Sequence, residues 1–180
     1  MKRAELPLAA EDASERSAEL PLHDRMGNHH EKPTKKREGT SMIKEIIKDE
    51  AVLSKPCEKA CAEDAQVAQD LLDTLAATED AACLAANQIG VTKAVVVYLD
   101  DDEKPRVMYN PKLMQALHPA QVLEGCLSRE GESKVKRFGW IKVAYEELQD
   151  GKLVARKRAF KGWTAEIIQH MIDHCKGKLV

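Results

Sequence analysis

Gln169-His170-Met171-Ile172-Asp173-His174 is the stretch on which the reading of this chain turns. Two histidines at i and i+4 lie one above the other on a single helical face. That spacing lets both imidazoles reach one tetrahedral ion. It is also the spacing of two partly buried polar residues on an ordinary core helix, so the pair alone leaves both readings open. Ile168, Met171, Ile172 and Cys175 form an opposite stripe with core periodicity. Packing is its expected role, with Cys175 turned away from the histidines as filler. The helix is predicted over residues 164–175, with Thr164 as its N-cap and Gly162 just ahead of it.

Upstream of that helix the pattern changes to strands. Asp150-Gly151 is a hairpin signal, Leu153 to Phe160 its return strand, and Ile141, Val143 and Tyr145 alternate as a half-buried strand before it. Residues 121–127 read as a further strand. Val107 to Asn110 reads as a short strand ended by Pro111. Ala94 to Leu99 is a β-branched apolar run that stops at the solvated turn Asp100-Asp101-Asp102. Residues 63–78 place Val67, Leu71, Leu72 and Leu75 on one stripe of an amphipathic helix. Helix, several strands, then helix predicts an α+β domain with antiparallel pairs, not an alternating βαβ array.

That domain is expected over residues 42–180, opening with Ile43, Ile46 and Ile47. Residues 1–41 mix both signs of charge without periodicity and are expected to be a disordered extension, since such a segment buries too little apolar area to offset its ordering entropy. Met42 opens the globular pattern so cleanly that it reads as an alternative translation start. His29-His30, in the polar tail, is expected to be solvated.

The 180 residues carry a net charge of −2, which provides no basic field for direct nucleic-acid binding. No run of about 18 apolar residues is present, so no membrane helix is expected. The five cysteines are odd in number and irregular in spacing, which argues against a disulfide framework and for a cytoplasmic protein. Cys57, Cys61, Cys83 and Cys175 are expected to be packing residues. Cys126 stands apart, in Glu124-Gly125-Cys126-Leu127-Ser128, after a glycine at a strand end.

Three segments in this order, Leu84-Ala85-Ala86-Asn87-Gln88-Ile89-Gly90, Glu124 to Ser128 and Gln169 to His174, resemble the peptide deformylase family. That family carries leucine-alanine-alanine-x-glutamine, then glutamate-glycine-cysteine-x-serine, then glutamine-histidine-glutamate-x-aspartate-histidine. Arg137 and Gly162 also fall where the family has an arginine and a glycine. The resemblance implies mixed antiparallel strands around a central C-terminal metal-binding helix. It implies Cys126, His170 and His174 as ligands of one divalent ion, Fe(2+) first and Zn(2+) or Ni(2+) next. A thiolate and two imidazoles leave one position open, as in catalytic sites. It further implies Gln88 and the Leu127 N–H as donors to the formyl oxygen, and an N-formylmethionyl peptide as substrate. The implied reaction is removal of formyl from nascent chains during protein biosynthesis, in association with the ribosome.

Two departures stand inside the resemblance. The family's acid/base glutamate is Met171 here, and a thioether neither takes nor gives a proton. Glu166, one turn before His170, and Glu124, near Cys126, are the substitutes to test. Where the family has glycine-x-glycine, this chain has Ala81-Ala82-Cys83, which narrows the approach to the site. Asn87 takes the place of a usual proline. An impaired metallohydrolase is therefore expected, with a catalytically silent, metal-holding binder of formylated peptides or protein partners as the alternative. A purely structural metal domain is the third option.

Overall fold

The computed structural model describes residues 42–180; the expected extension over residues 1–41, with His29-His30, lies outside the described residues. The elements are α1 (Glu50–Leu53), α2 (Ala65–Ala77), β1 (Cys83–Ala85), β2 (Val95–Leu99), β3 (Pro105–Gly125), β4 (Glu132–Gln149), β5 (Lys152–Lys161) and α3 (Gly162–Cys175). The five strands form one sheet in the order β1-β2-β3-β4-β5, antiparallel throughout, so each strand pairs with its neighbour in sequence. The α+β expectation holds.

β2 explains how two helices share one sheet. Its run Val95-Val96-Val97-Tyr98 is buried on both faces, as a strand covered on two sides must be. Side chains alternate across a strand. Val96 and Tyr98 accordingly join Met108, Ile141, Val143, Tyr145 and Phe160 against Ile167, Ile168, Met171 and Ile172 of α3. Val95 and Val97 join Leu84 and Tyr109 against Leu71 and Leu75 of α2. Each fully buried Ile or Leu contributes about 1.5–3 kcal/mol, so the first layer holds α3 and the second α2 against the sheet.

The β4–β5 hairpin forms as read. Gln149 pairs with Lys152 around Asp150 (φ 49°) and Gly151 (φ 76°), the two positive φ values that a two-residue type I′ turn requires. Three other readings are corrected. Pro111 does not end a short strand: β3 continues to Gly125, and residues 121–125 are its far end, not a separate strand. The register shifts between Tyr109 and Lys112, and Asn110 takes φ 54°, so Pro111 sits in a bulge where no N–H is needed for pairing. The Asn110 amide ties this bulge to the Ala60 backbone, accepting from its N–H at 2.7 Å and donating to its carbonyl at 2.9 Å. Nor does Thr164 cap α3. The helix begins at Gly162, with Lys161 at the cap position, and the Thr164 hydroxyl donates to Asp101 in the β2–β3 turn.

Candidate metal centre

The far end of β3 and the second half of α3 converge on one point. Cys126 follows β3 directly, and α3 presents His170 and His174 toward it; all three are buried. Their ligand atoms lie within 4.8 Å of one another, and Cys126 Sγ is 3.3 Å from His174 Nε2. No other such group of three or more His, Cys, Asp or Glu residues occurs among the described residues.

The surroundings fix the chemistry of each donor. His170 Nδ1 is 3.0 Å from Glu124 Oε2, which makes it the protonated nitrogen and leaves the lone pair on Nε2. That Nε2 is buried and has no hydrogen-bond partner among the described residues. Buried polar atoms are seldom left this way, and a lone pair aimed at a thiolate and a second imidazole is what a bound cation would satisfy. The donor set therefore fits a divalent ion. Burial raises the Cys126 thiol, but the polar contacts of His170 and His174 together outweigh it and bring its pKa down to about 5. Burial holds His174 below the usual imidazole value. For His170 burial acts the same way, yet its interactions with Cys126 and Glu124 raise it overall.

Behind the three residues runs a buried ion network. Arg137 Nε and Nη2 donate to the two Glu124 oxygens at 2.6 and 2.7 Å, and Nη1 donates to Asp173 Oδ2 at 2.7 Å. Lys178 closes it on Asp173 at 3.2 Å. Both Glu124 oxygens are engaged, one of them also by His170, so Glu124 orients the His170 ring and is not placed as a substitute acid/base. Glu166 is half-buried, and burial followed by the Glu124 charge raises its carboxyl pKa.

Gln88 enters from the 3₁₀ turn Ala86–Ile89. Its Oε1 accepts from Ala85 N–H at 3.0 Å, which points Nε2 at Ser128 Oγ (3.2 Å) and Cys126 Sγ (3.8 Å). Leu127 follows Cys126 in a turn, and no acceptor takes its N–H among the described residues. Asn87 braces the backbone around the site. Its Nδ2 donates to His174 O at 3.0 Å and Leu53 O at 3.3 Å, joining α1, the turn and the end of α3. Met171 is 1% exposed and shares a buried apolar cluster with Ala82 and Cys83. Cys83 of the altered first motif and Met171 of the third thus belong to one buried cluster. Sequence reading missed Ser128 and Asp173, although both stand inside the quoted motifs.

Residues 43–180 match the family model described as polypeptide deformylase. A peptide deformylase of Clostridium beijerinckii is 39% identical over 140 residues, covering 77% of this chain and 100% of its own length. Among solved structures, the peptide deformylase of Thermus thermophilus superposes with a TM-score of 0.67 at 27% identity, covering 77% of this chain and 83% of that one. A class I type b peptide deformylase from Acinetobacter baumannii gives a TM-score of 0.68 at 26% identity, covering 77% and 97%.

Proposed function

Because this chain belongs to the polypeptide deformylase family, we propose that it removes the formyl group from N-terminal methionine of nascent polypeptides, at a rate impaired by Met171. The observation that carries the proposal is the convergence of Cys126, His170 and His174, with the unpartnered His170 Nε2 among them, beside the Gln88 amide. These three residues would hold one divalent ion, Fe(2+) first, with Zn(2+) and Ni(2+) also suited to the donors. Such an ion supplies Lewis acidity to a carbonyl and to water at neutral pH.

The chain's own residues account for the rest. Gln88 Nε2 and the Leu127 N–H would donate to the formyl oxygen as negative charge develops there. Gln88 needs no reorganisation, because Ala85 N–H already holds its other amide atom. Glu124 and Arg137 keep the His170 ring in the tautomer that turns Nε2 inward. The missing function is proton transfer to the leaving amine. Met171 cannot perform it, and losing a general acid/base costs roughly 10²–10⁴ in rate. Nascent-chain work implies association with the ribosome; no helix among the described residues is long and apolar enough to cross a membrane.

A second reading is a silent member that binds formylated peptides without turnover. The shared apolar cluster of Met171, Ala82 and Cys83 favours it, since the place of the carboxylate has become part of the core. Metal-loaded protein assayed on formyl-Met-Ala-Ser separates the two. The first reading predicts turnover of about 0.1 s⁻¹ or less, roughly 10²-fold or more below an ordinary 10 s⁻¹, and a further loss in Gln88→Ala. Binding with no turnover supports the second. Turnover near 10 s⁻¹ contradicts both and makes Glu166→Gln the next variant to assay.

A further inference from the structure

The C-terminal end of α3 is docked against the segment that follows α1. Cys57 N–H donates to Cys175 O at 2.8 Å. Gly177 (φ 69°) packs so tightly there that a Cβ would overlap the Ser54 carbonyl. Asn87 adds its two bonds to Leu53 O and His174 O. Within this joint that main-chain bond sets Cys57 and Cys175 side by side, and both residues are half-buried, unlike the buried Cys83 and Cys126. Cys175 also packs against the apolar cluster of α3 and the sheet, as expected of a packing residue.

We propose that Cys57 and Cys175 form a reversible disulfide by exchange with a low-molecular-weight disulfide, a modification site separate from the metal centre. A main-chain hydrogen bond between two residues brings their Cα atoms near the roughly 4.4–6.8 Å window in which disulfides form. Cys57 is the attacking residue, since it lies in the segment after α1 while Cys175 is held as the last residue of α3. The Cys57 thiolate attacks one sulfur of the small disulfide, and the first small thiol leaves. Cys175 then attacks the Cys57 sulfur, the second small thiol leaves, and the Cys175 proton goes with it. The protein pair is oxidised by two electrons, and one small disulfide becomes two thiols.

The remaining cysteines are poorer reaction sites. Cys61 is exposed, but its hydrogen bonds with Glu63 and Asp64 raise its thiol pKa. Burial pushes Cys83 up to about 11. A bridge from residue 57 to residue 175 would close nearly all of the described chain into one loop, the arrangement that constrains an unfolded chain most. It would also lock the helix end one residue beyond His174. The inference does not depend on which ion is bound or on whether the chain turns over substrate.

The test uses full-length, metal-loaded protein treated with oxidised glutathione, followed by peptide mass mapping and thermal unfolding. The expected product is a Cys57–Cys175 linked peptide pair, two hydrogens lighter than the free thiols. The thermal midpoint should rise by about 5–10 °C and fall back with dithiothreitol. In Cys175→Ala, glutathione should stay attached to Cys57 with no rise. In Cys57→Ser, neither product should form. A glutathione adduct that persists on Cys57 in the unsubstituted chain would overturn the proposal. So would oxidation confined to Cys61 with both other thiols free.

Discussion

Met171→Glu should raise deformylation of a formyl-methionyl peptide by at least about tenfold, toward the 10²–10⁴ that general acid/base help contributes. The position follows His170 directly on α3, in the family's acid/base place, and the two imidazoles, the thiol and the Gln88 amide are gathered beside it. The new carboxylate enters a buried apolar cluster, and burying an unpaired polar group costs stability. The thermal midpoint should therefore fall even as the rate rises. Ala81→Gly and Cys83→Gly in the same chain should recover part of the remaining gap, because Cys83 belongs to the cluster that Met171 fills. Initial rates beside metal content decide the matter. No gain with normal metal content would mean that the pocket has been rebuilt beyond one side chain, and the binding reading would stand.

Arg137→Met should lower unfolding stability by about 3–5 kcal/mol, the cost of leaving buried charges without their partner. Arg137 is 5% exposed and Glu124 fully buried, and both Glu124 oxygens depend on the guanidinium. Asp173 loses less, since Lys178 also reaches it. Glu124→Gln added to Arg137→Met should restore part of the loss, because the uncompensated carboxylate is gone. Metal affinity should drop by about 10–100-fold in Arg137→Met as the His170 ring loses its orientation. Denaturant unfolding of the two variants measures this directly; a loss under about 1 kcal/mol in the single variant would show that the network is not a buried one in solution.

The parts of the fold visible in the sequence were those set by local chemistry. Asp150-Gly151 specifies its turn by itself, and the double burial of Val95 to Tyr98 is written in a continuous apolar run. β3 was misjudged because Pro111 breaks a strand only when its missing N–H is needed, and a bulge just beyond the β2 pairing removes that need. Whether a bulge exists depends on the partner strand, which local pattern does not reveal. Thr164 carries the residue type of a cap, but its hydroxyl is taken by Asp101, 63 residues earlier. The site divides the same way. Cys126, His170, His174 and Gln88 were legible by resemblance, because each sits in a short motif. The assignment of Glu124 to His170 and Arg137, in place of proton transfer, rests on pairs 13 and 46 residues apart. Such pairs exist only once the ribbon of β3 and β4 lies against α3.

Whether Cys126, His170 and His174 hold one divalent ion is tested most directly by elemental analysis of the purified protein. Protons compete for all three donors, so uptake should weaken as the pH falls, with the raised His170 protonating before the Cys126 thiolate, near 5. At neutral pH the account predicts about one ion per chain, and near-complete loss in each of Cys126→Ala, His170→Ala and His174→Ala with the fold retained. Undiminished metal content in the three variants would contradict it.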